Sequence, residues 1–212
     1  MKRTFFSLAL LLAVATLTAQ TKMTAREAAV KIADRILAST TYEFKNTKTG
    51  EIYKSVKKLP LDMDVKVACK YNNWHYTNGV TNMALMELGD KLGDKKYEKY
   101  VLKNMNFVFN EGNLDFFRKQ YDEAFKRYGW NAVRKLSWHM IFRGKRLDDN
   151  GPMGASLIEL QLKYPNDSFL GYINETAEHL NYGEPRLVDG TIARIWPHVN
   201  TIWADDAFMA IS

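Results

Sequence analysis

The sequence predicts an all-α protein built from stacked helical hairpins, and three observations carry that prediction. Apolar residues recur at helical spacing through most of the chain after Thr24, alternating strand patterns are scarce, and a plan of residues repeats after a shift of 72 positions. The chain has 212 residues, of which 46% are hydrophobic and 13% aromatic, with five prolines, so it can bury a sizeable core and is not disordered. A single cysteine, Cys69, excludes an intramolecular disulfide framework.

Residues 1–20 read as a signal peptide. Lys2 and Arg3 give a positive start, Phe5 to Ala15 is an apolar run broken only by Ser7, and Ala19 places a small residue near a cleavage point. A membrane anchor needs about 18 to 20 apolar residues, so no stable membrane insertion is expected. The mature chain is expected to begin at residue 21, in a periplasmic or secreted location. There a lone thiol is harmless.

Thr24 and Glu27 form a capping box, and Ala29, Ile32, Ala33 and Ile36 follow as one apolar face. Between Glu43 and Asp64 the pattern lapses into Lys, Thr, Gly and Pro, which predicts a long loop. Helical spacing returns at Val80, Ala84, Leu88 and Leu92, then at Tyr97, Val101, Met105 and Val108, then at Leu114, Phe117, Tyr121 and Phe125. Further helices are predicted over Trp130 to Ile141, over Pro152 to Leu162 with proline in the first turn, and through Phe169, Ile173, Ala177 and Leu180.

The repeat sets Asn78-Gly79 on Asn150-Gly151, Leu85 on Leu157, Glu87-Leu88 on Glu159-Leu160, Asp94 on Asn166, Tyr97 on Phe169 and Tyr100 on Tyr172. Two hairpins therefore share one plan, and stacking them buries apolar faces in either an open solenoid or a closed toroid. A third copy begins near the end of the sequence, because Asp205 lies 56 residues after Asp149 and each opens a helix. Both aspartates belong to doublets, Asp148-Asp149 and Asp205-Asp206, and neighbours on a helix do not share a face. One member of each lines a cavity, while the other is open to a plain N-capping role. Two carboxylates brought together from different helices repel, which keeps a proton on one of them, whereas a helix N-terminus favours the charged form.

Aromatic residues gather near the same helix starts. Trp74 and Tyr76 flank His75 just before Asn78-Gly79, and Trp203 precedes Asp205, as a cavity that stacks on sugar rings requires. Arg194 and His198 lie in the segment leading to Trp203, where a guanidinium suits a substrate carboxylate and the histidine is equally open to a turn role. The net charge of +6, or +4 without Lys2 and Arg3, is dispersed among acids and forms no basic stripe, so no nucleic-acid partner is expected.

The motifs Trp74-His75-Tyr76-Thr77-Asn78-Gly79, Leu147-Asp148-Asp149-Asn150-Gly151-Pro152-Met153-Gly154, Asp189-Gly190 with Arg194, and Thr201-Ile202-Trp203-Ala204-Asp205-Asp206-Ala207-Phe208-Met209 resemble those of the unsaturated glucuronyl and rhamnogalacturonyl hydrolases, glycoside hydrolase families 88 and 105. The resemblance implies an (α/α)6 toroid, incomplete in this chain, with residues 21–212 forming its N-terminal part. It implies removal of a 4,5-unsaturated uronic acid from the non-reducing end of lyase-generated oligosaccharides, with no metal and no cofactor. Asp205 falls on the family's catalytic aspartate and Asp149 on its partner, while Tyr76 and Trp203 match aromatic positions around the unsaturated sugar. Trp74, Arg194 and His198 complete the expected binding set. The alternative is an inactive remnant or a non-catalytic sugar-binding repeat protein.

Overall fold

The computed structural model describes residues 23–143, 146–195 and 197–211. The signal-peptide reading of residues 1–20 lies outside them. The chain divides into two compact units at Arg35–Ile36, inside the first helix. That helix, α1 (Ala25–Ser39), starts on the expected capping box. The Thr24 amide and hydroxyl donate to Glu27 Oε2 at 2.8 and 2.9 Å, and the Glu27 amide donates back to Thr24 Oγ1 at 3.2 Å. Of its four expected apolar residues only Ala33 is buried, and Ala29 and Ile32 are exposed.

The expected long loop contains a small sheet instead. Strands β1 (Phe44–Asn46), β2 (Ile52–Tyr53) and β3 (Val65–Val67) pair antiparallel in the order β2-β1-β3, with Phe44 opposite both Tyr53 and Val67. Three-residue strands are too short to print a periodicity in the sequence. Their inward residues Phe44, Asn46, Val65 and Val67 are buried, and Phe44 joins an aromatic cluster with Phe107, Phe116 and Phe117.

The rest is mostly helical and the fold class is all-α; the described residues between 184 and 205 are irregular, with isolated bridges at Arg186–Ile192 and Arg194–Thr201. Helices α2 (Tyr76–Leu92) and α3 (Lys96–Val108) make the first hairpin, and α7 (Leu147–Lys163) and α8 (Asp167–Glu178) make the second. Between them lie α4 (Glu111–Tyr128), α5 (Trp130–Val133) and α6 (His139–Arg143). The last described helix is α9 (Asp206–Ile211). One helix was expected from Trp130 to Ile141, but the chain breaks at Trp138, whose φ is 64°. The Trp138 amide donates to Asn73 Oδ1 at 2.8 Å, and its ring packs beside Trp74, Phe107 and Phe117, so tertiary contacts hold the left-handed backbone.

The 72-residue repeat is structural. Leu85 and Leu157 are both buried, Tyr97 and Phe169 open the second helices from within the core, and Tyr100 and Tyr172 are equally enclosed. Asp94 Oδ1 accepts the Lys96 amide just as Asn166 Oδ1 accepts that of Ser168, both at 3.0 Å. The repeated glycines explain why the first helices of the hairpins stand side by side. A Cβ on Gly79 would lie 2.6 Å from the Pro152 carbonyl oxygen, and one on Gly151 would fall on the Met209 carbonyl. Met209 is the 56-residue counterpart of Met153, which Gly79 also meets, so α2 meets α7 and α7 meets α9 by the same backbone approach.

This packing reverses the expected orientation of α2. Its apolar stripe begins with the exposed residues Val80 and Ala84, whereas Asn78, Gly79, Asn82, Leu85, Met86 and Gly89 form the buried face. The second helix also begins earlier than expected, at Leu147, so Pro152 sits inside it rather than in the first turn. Far from the N-terminal turns, Lys163 binds Asp90 at 2.9 Å and Glu98 at 2.8 Å, and Tyr164 donates to the other oxygen of Glu98. That cluster ties the ends of α2 and α7 to the start of α3.

Candidate active site

The entrance to α2, the first turn of α7 and the approach to α9 carry the functional side chains. Trp74 is 1% exposed, and its ring meets Tyr172 edge-on at 4.6 Å and lies near Phe109 and Trp138. Its Nε1 donates to the Asp149 carbonyl at 2.8 Å, and the Tyr172 hydroxyl approaches the same oxygen at 3.4 Å. The expectation that Trp74 stacks on a sugar is therefore corrected: its ring faces are spent on core packing, and it anchors the turn that bears the aspartates. Tyr76 remains partly exposed beside His75, with ring centroids 4.6 Å apart.

The two doublets divide their labour in the way adjacent helical residues must. Asp149 is 0% exposed and its carboxylate is gripped on both oxygens by Arg143, with Nε to Oδ2 at 2.5 Å and Nη2 to Oδ1. Asp148, one step round the helix, is partly exposed and approaches Arg194 Nη2 at 3.5 Å. Asp149 therefore does not line an open surface, and Asp148 is the member of its doublet that does. In the second doublet Asp206 is 3% exposed, while Asp205 is exposed.

Arg194 organises this end of the molecule. Its Nε donates to both Asp206 oxygens at 2.8 Å and its Nη2 lies 2.5 Å from Oδ1, while the Trp203 ring covers the guanidinium at 4.3 Å. The Trp203 amide donates to Asp206 Oδ2 at 2.8 Å, and the Asp206 amide donates back to the Trp203 carbonyl at 3.0 Å. Burial pushes the Asp206 carboxyl up, but Arg194 and the Trp203 amide together hold it below its ordinary range. Asp148, Asp205 and Asp206 all strengthen the proton affinity of the guanidinium. The expected role of Arg194 as a partner of substrate carboxylate is corrected to this extent: its Nε and Nη2 edge is committed to Asp206.

Trp203 is 44% exposed, so a ring face is available beside Asp205. His198 is exposed in a turn where its carbonyl accepts the Thr201 hydroxyl at 2.8 Å, and among the described residues no contact joins its ring to the carboxylates. Glu184 is a neighbour that the sequence did not single out. Burial raises its carboxyl, His179 binds it at 2.9 Å, and both Asp206 and Arg194 act on it. Arg143 was equally missed, since a lone arginine six positions before Asp149 carries no sequence signal. A cavity of about 810 Å³ elsewhere, lined in part by Pro60, Asp64 and Tyr128, contains none of these residues.

Stacked helical hairpins with aspartate doublets at the entrances to α7 and α9 form an all-α fold consistent with the toroid-type glycoside hydrolases. Over residues 54–212, three quarters of its length, the chain matches Glycosyl Hydrolase Family 88 and belongs to that family. Its substrate is accordingly a carbohydrate. No curated protein matches the chain. Among the described residues no helix is long and apolar enough to cross a membrane.

Proposed function

We propose that this glycoside hydrolase releases a 4,5-unsaturated uronic acid from the non-reducing end of oligosaccharides left by polysaccharide lyases. The observation that carries the reading is the exposed Asp205, two positions after the Trp203 indole that covers the Arg194 guanidinium, itself shared by Asp206 and Asp148. Asp205 as an acid protonates carbon 4 of the enol ether, and as a carboxylate it then assists water in adding at carbon 5. The resulting hemiketal opens and releases the aglycone as an alcohol, so one water is consumed and one glycosidic link is lost. Asp149, neutralised by Arg143, acts from beneath as the support of the turn that presents Asp148. Trp203 and Tyr76 provide the faces on which the sugar rests. Export by the signal peptide at residues 1–20 belongs to the same reading, since lyase products of large polysaccharides arise outside the cytoplasm.

The test is the loss of ultraviolet absorbance from an unsaturated uronyl disaccharide. Wild-type protein is expected to bleach the chromophore and Asp205→Asn to lose that activity by at least a hundredfold, as removal of a general acid/base does. Full activity in the variant, or a product that gains an unsaturated ring, overturns the proposal.

A further inference from the structure

His75 stands between the buried Trp74 and the partly exposed Tyr76, and neither the core nor the chemistry above uses it. It is the N-cap of α2, with extended backbone at φ −155° and ψ 142°. Its Nδ1 accepts the Thr77 amide at 3.3 Å and lies 2.9 Å from Thr77 Oγ1. An imidazole nitrogen that accepts from an amide holds no proton, so the neutral ring carries its hydrogen on Nε2. Among the described residues Nε2–H meets no partner. Burial lowers the pKa of the ring, the carboxylates of Asp148 and Asp149 oppose that shift, and Arg143 adds to it. These are the charged groups of α6 and α7 that face it. The cap thus presents a neutral, oriented N–H donor beside Tyr76, within electrostatic reach of the partly exposed Asp148.

We propose that His75 is a positioning residue of this same site, donating Nε2–H to an oxygen acceptor, carboxylate or hydroxyl, on the uronyl ring that rests against Tyr76. The proposal stands on the functional reading above and adds a binding contact that the motif match does not assign. A neutral donor suits an anionic sugar held near Asp148, because it supplies a hydrogen bond without competing with Arg143 and Arg194 for the aspartates.

Two substitutions separate the donor from the cap. Asn at position 75 keeps an oxygen able to accept the Thr77 amide but has nothing at the place of Nε2, whereas Gln carries an amide nitrogen out to that place. With the full chain and an unsaturated uronyl disaccharide, His75→Asn is expected to raise KM and Kd roughly tenfold while kcat and Tm stay close to wild type. His75→Gln is expected to recover most of the affinity. Equal affinity in His75→Asn and wild type overturns this proposal alone, as does a loss in both variants that tracks a fall in Tm, which marks a helix cap and nothing more. A wild-type chain that neither binds nor turns over the disaccharide overturns the functional reading and this contact with it.

Discussion

Adding one carbon at Gly79 tests whether backbone contact between α2 and α7 sets the spacing of the hairpins. An alanine Cβ there would lie 2.5 Å from the Met153 nitrogen and 2.6 Å from the Pro152 oxygen, about 0.9 Å inside the 3.4 Å at which ordinary contact begins. Both obstacles are main-chain atoms of a helix that contains a proline, so no side chain can swing aside. Overpacking of this kind costs about 1–3 kcal/mol, and two rigid backbones place it at the upper end. Alanine recovers about 1 kcal/mol of helix propensity over glycine, which leaves Gly79→Ala destabilised by about 2 kcal/mol. In a chain of this length that lowers Tm by about 4–8 °C. Gly171, on α8, has nothing within 4 Å of its would-be Cβ, so Gly171→Ala is expected to gain about 0.5–1 kcal/mol. Denaturant unfolding of both variants beside wild type reads the difference. If Gly79→Ala proves as stable as wild type, or is stabilised like Gly171→Ala, the helices are not held by that contact.

Lys163→Met removes the cation shared by Asp90 and Glu98; the Glu98 carboxylate keeps only Tyr164, and the partly exposed site limits the loss to about 1–2 kcal/mol, readable from the denaturation midpoint. Arg194→Lys replaces a fork by a point charge, so Asp206 loses a charge-assisted bond worth about 1.5–3 kcal/mol and turnover falls with it, as a paired stability and activity measurement would show. Burial holds His75 and His139 below the usual histidine range, so the unfolded chain takes up protons first as pH falls through about 6.5, and stability drops between pH 7 and 5. Asp206 is depressed in the fold, so its contribution is complete above about pH 3.9 and lost only as pH falls further; Asp206→Asn removes that second decline from a series of unfolding curves.

The hairpins were legible because their second helices are conventionally amphipathic. Tyr97, Val101, Met105 and Val108 are all buried, as their spacing predicts. The face of α2 was misread for the opposite reason: where backbones touch, glycine and asparagine replace the large apolar side chains that periodicity detects. The same Asn-Gly pairs, read as a repeat, did mark those contacts. At the site, motif order located both doublets and Arg194, but not Arg143 and not the pairings that settle which member of each doublet turns inward. Arg143 reaches Asp149 only because α6 ends beside the first turn of α7, and Arg194 reaches Asp206 across a loop of twelve positions. Single-sequence patterns see neighbours along one element, and both clamps span two. Trp74 was misplaced by composition, since an indole beside a tyrosine reads alike whether it faces sugar or supports the main chain.

At the helix entrances Arg143 and Arg194 are committed to the aspartate doublets, and these pairings bear on how a charged ligand is held. Arg143 is occupied by Asp149, and Arg194 divides itself between Asp206 and Asp148. On the proposed function, a uronate meets guanidinium groups whose donors are already shared with aspartates. On that reading, stacking on indole and phenol carries much of its binding, and the salt dependence of Kd measures how much of the remainder is electrostatic. An anionic sugar placed beside carboxylates favours uptake of a proton on binding, because like charges brought together repel. On the proposed chemistry, the ligand's own charge helps deliver the proton that its double bond consumes.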